Sequence, residues 1–317
     1  MERITLERQQ VWVYLLAISI GLILGTSLAN PAALEWLLWP LLMLLLYVTF
    51  VQVPLLHIRR AFADRRFVSV LLLGNFVLVP LLVWGLMQFL PDQPALRLGV
   101  LLVLLVPCTD WFITFTQLGG GDTPRAIAVT PLNLMLQLLL LPLYLLMAPG
   151  LDMAIVLSWR DVMPALVVVT VPLLAAALTE RWMEAVPARL PIRDTLGWWP
   201  VPLLALVVCL IATTQISAVR GAMNLLPLLV PLFTAFLIFA ALIAWGLSRW
   251  MKLPAIQGRT LAFSLGTRNS FVVLPFALSL PQGWEVVAVV IVVQSLVELL
   301  GMVLYLWWLP RYLFPTS

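Results

Sequence analysis

The sequence predicts an all-α integral membrane protein with ten transmembrane helices, arranged as two inverted five-helix repeats whose broken fourth and ninth helices cross. The 317 residues are 63% hydrophobic and only 10% charged, whereas soluble domains contain about 25% charged residues. The apolar residues fall into ten runs long enough to span a bilayer. Polar residues interrupt the fourth and the ninth of these runs.

The ten runs form two sets of five, which we interpret as repeats at about 11–147 and about 162–309 of a single transmembrane domain covering 1–317. Helices are expected because the runs lack the alternation of barrel strands, and because unpaired backbone groups are costly in lipid. The predicted spans are approximately 11–29, 34–56, 67–90, 98–118, 126–146, 162–178, 196–216, 225–247, 261–280 and 286–308.

The basic residues orient the predicted helices, because short cytoplasmic loops carry the excess of Lys and Arg. With the N-terminus inside, only Arg97, Arg160 and Arg220 fall in outer loops, while Arg59, Arg60 and most others fall inside. We therefore predict a multi-pass protein of the cell inner (plasma) membrane with both termini cytoplasmic. An odd number of helices in each half makes the second half enter from the opposite side, as inverted repeats do. No nucleic-acid partner is expected, because the positive charge is not gathered in one patch.

The two interruptions predict a binding site. Unwound backbone at membrane depth is tolerated only where protein or a cavity covers it, and matched interruptions in two halves mark the site of repeat-built transporters. The substrate-binding candidates are the residues of both interruptions and one glutamate of the tenth span: Cys108, Thr109, Asp110, Gly266, Thr267, Arg268, Asn269 and Glu298.

Three of these candidates are charged residues within spans. A charge in the bilayer costs at least a few kcal/mol and usually faces the protein interior. We predict an ion pair between Asp110 and Arg268, for which a purely structural role is the alternative. Glu298 could bind a proton or a cation and exchange it during transport.

The fifth and tenth spans carry polar residues at helical spacing. Thr130, Asn133 and Gln137 share one helix face, and Gln294 shares a face with Glu298. Interhelical hydrogen bonding is the alternative role for Asn133 and Gln137. The predicted coupling or polar-lining residues are Thr130, Asn133, Gln137, Ser264 and Gln294.

Cysteine and histidine are too few for a disulfide framework or a zinc site, because the chain contains only Cys108, Cys209 and His57. No nucleophile or metal motif is present, so an enzyme is not favoured and no cofactor is expected. The thiol of Cys108 follows Pro107, which disturbs the helix, and could serve as a soft ligand in a cavity. Packing is the alternative for Cys108 and our interpretation of Cys209.

At these residues the chain resembles the arsenite permeases of the arsenical-resistance type, within the bile acid:sodium symporter superfamily. The likeness lies in residues 106–109 with the following Gly121-Asp122, in 252–254 with 264–267 and Asn269, and in 292–293 with 296–298. The resemblance implies a core around the fourth, fifth, ninth and tenth helices, a panel of peripheral helices, and a substrate near the midplane. It also implies that Cys108 handles arsenite and that Glu298 is functional.

The chain departs from the family's patterns at the predicted crossing. Arg268 stands where the arsenite permeases have an uncharged residue, and Asp110 stands where they have a small one. Compared with the sodium-coupled bile acid transporters, Ser264 and Arg268 replace a carboxylate and a glutamine of the sodium site, and only Thr130 is retained. A guanidinium there repels or substitutes for the ion, so no sodium site is expected.

These observations predict a secondary active transporter that performs proton-linked efflux of arsenite or a related metalloid. Its expected partners are a small solute, protons and the lipid bilayer. The alternative is a sodium-independent carrier of small organic anions, because Arg268 at a half-helix end could meet a carboxylate. A non-transporting sensor, which binds its ligand without flux, is a further alternative.

Overall fold

The computed structural model describes residues 3–57, 64–146, 159–216 and 223–315. These residues form helices and the turns between them, so the predicted all-α class is confirmed. The α-helices in chain order are α1 Arg3–Ser27, α2 Leu38–Gln52, α3 Arg65–Leu73, α4 Val79–Met87, α5 Pro94–Leu104, α6 Trp111–Leu118, α7 Thr123–Leu146, α8 Trp159–Glu184, α9 Pro191–Leu196, α10 Pro200–Thr214, α11 Leu226–Trp250, α12 Ala255–Gly266, α13 Ser270–Leu278 and α14 Val286–Trp308.

Seven helical stretches within the described residues are long and apolar enough to cross a membrane, by length and composition. Each overlaps one of the predicted spans, and in five of them short 3-10 or π-helical turns extend or join the α-helices. The stretches are Pro31–Gln52, Arg65–Met87, Thr123–Leu146, Met163–Glu184, Pro187–Thr214, Met223–Trp250 and Val286–Leu313.

The other three predicted spans have a different form. The first contains the shorter apolar helix Trp12–Ser27. The fourth is divided between α5 and α6, and the ninth between α12 and α13, where the polar interruptions occur. Arg59, Arg60, Arg220 and the predicted end of the first repeat at 147 lie outside the described residues.

The chain forms two compact units, and each contains residues of both predicted repeats. The first unit comprises Met1–Leu56, Ala154–Leu225 and Phe271–Val292. The second unit comprises His57–Met153, Leu226–Ser270 and Val293–Ser317.

Within the first unit, α1 packs closely against α10 through small residues. A Cβ atom at Gly21 would clash with the carbonyl oxygen of Cys209, and one at Gly25 would lie 2.7 Å from the carbonyl oxygen of Thr213. The Thr213 hydroxyl donates to the Gly21 carbonyl at 3.1 Å. Two glycines four residues apart are a common pattern for close helix packing in membranes. Cys209 therefore lies in a packing contact, as its sequence context indicates.

Within the second unit, a π-helical turn at Gly74–Leu78 joins α3 to α4 and brings Asn75 into the interior. The preceding Gly74 permits this close approach, because a Cβ atom there would lie 2.9 Å from the side chain of Leu265 in α12. Turns of this kind are rare in proteins, and many of those that occur lie at functional sites. The turn places a polar side chain of the third span against the ninth.

Candidate functional site

The two interrupted spans break for different local reasons. Between α5 and α6, Pro107 has no backbone N–H and disfavours helical conformation in the residue before it. Between α12 and α13 there is no proline. There α12 ends at Gly266, and Thr267 has extended backbone with φ −92° and ψ 137°. Because the second break has no proline, contacts elsewhere in the unit must hold it.

The two breaks are in contact, as the sequence predicts, and they pair through backbone hydrogen bonds. The Cys108 N–H donates to the Thr267 carbonyl at 3.1 Å, and the Asn269 N–H donates to the Val106 carbonyl at 2.8 Å. This is a short antiparallel pairing. It satisfies backbone groups that would cost several kcal/mol each if left unpaired in a membrane.

The guanidinium of Arg268, a residue only 1% exposed, is enclosed by oxygen atoms. Its Nη2 lies 2.9 Å from Asn75 Oδ1, 2.9 Å from the Ser264 carbonyl and 2.7 Å from the Leu265 carbonyl. Its Nη1 lies 3.3 Å from the Leu104 carbonyl. The amide of Asn75 is oriented by a second bond, because its Nδ2 donates to Ser264 Oγ at 2.8 Å. We call the four oxygens around the guanidinium the oxygen cage.

The predicted ion pair with Asp110 is not among the contacts of this guanidinium in the described part of the chain. The arginine side chain turns back along its own helix, to carbonyl groups three and four residues earlier. Asp110 is half-buried immediately before α6, where its carbonyl accepts the Ile113 N–H at 3.0 Å. The four cage oxygens, rather than the Asp110 carboxylate of the prediction, therefore bind the Arg268 guanidinium.

The side chain of Glu298, a residue also 1% exposed, binds the backbone of the second break. Its Oε2 accepts the Arg268 N–H at 2.9 Å and the Gln294 Nε2 at 2.6 Å. The Oε1 atom has no hydrogen-bond partner among the described residues. Gln294 Oε1 accepts in turn from Ser270 Oγ at 3.3 Å. Two donors thus hold Oε2, whereas Oε1 can accept a hydrogen bond from a ligand or carry a proton.

A single peptide group joins Cys108 to Glu298. The Thr267 carbonyl and the Arg268 N–H belong to the same peptide bond, and they bind the Cys108 N–H and the Glu298 carboxylate respectively. Hydrogen bonds on both sides of one peptide polarise each other. The structure therefore links the backbone of Cys108 to the carboxylate of Glu298, two residues that the sequence singles out separately.

The remaining candidates of the two breaks are buried and close to each other. Asn269 Nδ2 donates to Thr109 Oγ1 at 3.3 Å, which adds a side-chain link between the breaks. The Thr267 hydroxyl donates to the carbonyl four residues earlier at 2.7 Å. A Cβ atom at Gly266 would lie 2.8 Å from the ring of Tyr305, so the absence of a side chain allows that ring to cover the break.

The polar face of α7 is buried and only partly paired. Thr130 Oγ1 donates to the Ala126 carbonyl at 2.7 Å. The side-chain oxygen and nitrogen atoms of Asn133 and Gln137 have no hydrogen-bond partner within the described residues. An unpaired buried polar group costs about 1–3 kcal/mol, and ligands or water commonly satisfy such groups. These two amides therefore have hydrogen-bonding capacity that the predicted polar lining would use.

Sequence reasoning misses Asn75 and Tyr305, which complete the surroundings of the second break. Tyr305 donates its hydroxyl to the Leu237 carbonyl and packs on Gly266. The available signal for Asn75 is an amide next to a glycine in the middle of an apolar span. That signal shows burial in a membrane but not the partner.

The family model of the Sodium Bile acid symporter family matches residues 39–243, which is more than half of the chain. The chain belongs to this family. The match includes the first break and ends before the second. Membership in the sodium bile acid symporter family, together with the apolar helices, makes the chain a multi-pass membrane transporter.

A second comparison extends over almost all of the chain. The chain is 25% identical to the arsenical-resistance protein Acr3 of Corynebacterium glutamicum over 344 aligned residues, which cover 97% of this chain and 90% of the relative. The resemblance predicted from short motifs is thus confirmed, and within the sodium bile acid symporter family the chain is similar to a protein of arsenical resistance.

Proposed function

We propose that the chain is a secondary active transporter that exports arsenite or a related metalloid in exchange for protons. In this proposal it crosses the inner membrane ten times as two inverted five-helix repeats, with both termini cytoplasmic. The similarity to an arsenical-resistance protein supports the substrate class. Two interrupted helices that pair at their breaks support alternating access around a fixed site.

The observation that carries the proposal is the peptide group shared by Cys108 and Glu298. A thiol is a soft ligand and suits a soft metalloid centre. A charged carboxylate forms a stronger hydrogen bond than a protonated one. Protonation of Glu298 therefore weakens its hold on the Arg268 N–H, and the same peptide also holds the backbone of Cys108. Substrate binding and proton binding thus act on one element.

Arsenite uptake into everted membrane vesicles, with and without a pH gradient, tests this function. Cys108→Ser and Glu298→Gln are expected to reduce uptake at least about tenfold, the factor that ~1.4 kcal/mol of lost interaction produces. Sodium is expected to have no effect on the wild type.

Cys209→Ser and Glu285→Gln are the matched controls. Cys209 packs in the first unit, and Glu285 binds the backbone of a nearby turn at Gly283, so uptake by both variants should match the wild type. Unchanged uptake in Cys108→Ser and Glu298→Gln, or a strong sodium requirement, would contradict the proposal.

A carrier of small organic anions is the second candidate, favoured by the Arg268 Nε atom. This buried nitrogen has no hydrogen-bond partner within the described residues, so it remains available to a carboxylate. In that case organic acids should raise the melting temperature of the purified protein, and Arg268→Gln should abolish the rise. Stabilisation by arsenite without any response to organic acids would exclude this candidate.

A further inference from the structure

One nitrogen of the guanidinium, Nη2, has more acceptor oxygens around it than it has hydrogens to donate. Nη2 carries two hydrogens, yet three oxygens lie within 2.9 Å of it. A fourth oxygen, the Leu104 carbonyl, lies 3.3 Å from Nη1. Such crowding of oxygens suits a positive charge better than it suits a set of individual hydrogen bonds.

Backbone geometry gives the cage its negative potential independently of Arg268. Leu104 is the last residue of α5, while Ser264 and Leu265 lie in the last turn of α12. Carbonyl groups at helix C-termini lack helical partners and carry partial negative charge. The ring of Phe236 lies beneath the guanidinium, with its centroid 5.5 Å from the arginine Cζ, and an aromatic face also attracts cations.

We propose that the oxygen cage is a cation site which Arg268 fills as a tethered cation, and which binds free guanidinium or Na⁺ when that side chain is shortened. Guanidinium should bind better than Na⁺, because it offers the same planar donors to the same oxygens. The native protein then needs no mobile cation at this position. The proposal concerns an internal charge and goes beyond the proposed function, because it holds whatever solute is transported.

Thermal unfolding of purified Arg268→Ala in choline chloride, with guanidinium or sodium chloride added at matched ionic strength, tests the site. Millimolar guanidinium is expected to raise the melting temperature saturably by roughly 2–6 °C, as a ligand specific to the folded state does. Sodium should give a smaller rise. The wild type should not respond, because its cage is occupied.

Two further variants make the test specific. Asn75→Leu combined with Arg268→Ala removes one cage oxygen and should reduce the rise. Arg259→Ala removes another buried arginine, whose guanidinium binds the carbonyls of Gly120 and Phe314, and should show no saturable rise.

Three results would overturn the proposal. The first is a melting temperature of Arg268→Ala that does not depend on the cation. The second is an equal response in the wild type or in Arg259→Ala. The third is failure of both Arg268→Ala and Arg268→Gln to give monodisperse protein in any of the salts. None of these readouts depends on arsenite uptake, so the site and the transport function can fail separately.

Discussion

The two breaks of the second unit have the same backbone pairing but are held by different means. The first contains Pro107, which has no N–H to donate and disfavours helical conformation in the residue before it. The second contains no proline, and its helix ends where Arg268 folds back onto the carbonyl groups of α12. The first break is therefore specified locally, whereas the second depends on contacts from α5, α14 and the turn after α3.

The buried charged groups therefore lie at the second break and not at the first. The second break holds the buried guanidinium and receives the Glu298 carboxylate, while the first contributes mainly carbonyl groups and the Cys108 N–H. Substitutions in the second break should therefore affect folding and, under the proposed function, also the coupling of solute transport to protons. Under the proposed function, those in the first break should affect mainly substrate binding.

The largest effect is expected from comparing Arg268→Leu with Pro107→Ala. Leucine fills the space without a charge and leaves the four cage oxygens unpaired, so stability should fall by ~3–5 kcal/mol. Pro107→Ala changes mainly the freedom of the unfolded chain and should alter stability by about 1 kcal/mol. Denaturant or thermal unfolding in detergent measures both. Equal losses would mean that the two breaks are held in the same way.

Asn75→Leu should have the next largest effect. It removes an acceptor for Arg268 and a donor for Ser264, both buried, with an expected loss of about 1–3 kcal/mol. Gln88→Leu, an exposed amide at the end of α4, is the matched control and should change stability by less than about 0.5 kcal/mol. A smaller loss for Asn75→Leu than for this control would show that the third span does not support the second break.

The sequence predicts the breaks because charged residues are rare inside apolar spans and usually mark functional positions there. It cannot predict which partner a long side chain chooses. Charge alone matches Arg268 with Asp110, yet the length of the arginine lets it reach oxygens of its own helix and of Asn75. Similarly, Cys108 and Glu298 are distinctive in sequence, but only the fold places them on one peptide group.

A double-mutant cycle on Thr109 and Asn269 measures the side-chain link between the breaks. Their hydrogen bond of 3.3 Å is long, so the coupling energy of Thr109→Val and Asn269→Ala should be only ~0.5–1 kcal/mol. The same cycle between Thr109→Val and Thr130→Val should give no coupling, because the Thr130 hydroxyl binds its own helix. Coupling above about 2 kcal/mol would mean that side chains, rather than backbone pairing, hold the crossing.

The smallest effect is expected at Asp64, just before the third span, where its ion pair with Arg125 near water provides a reference for the buried Arg268. The hydrogen bond from the Phe67 N–H, and to a smaller extent Arg125, holds the pKa of the Asp64 carboxyl below its ordinary value. Partial burial opposes this shift. A depressed pKa in the folded state stabilises the protein above the unfolded-state pKa of about 4, and this contribution is lost as the pH falls through the folded-state pKa.

Asp64→Asn should therefore lower stability by ~1 kcal/mol or less at pH 7, and the difference from the wild type should vanish in acid. Melting temperatures of the two proteins between neutral and acidic pH measure this convergence. Asp92→Asn is the control, because that side chain is 85% exposed beside Arg97 and should contribute almost nothing at any pH. If Asp64→Asn cost as much as Arg268→Leu, burial would not be what separates the two arginine sites. A small, acid-sensitive loss at Asp64 beside a large loss at Arg268 would instead assign the difference to the oxygen cage.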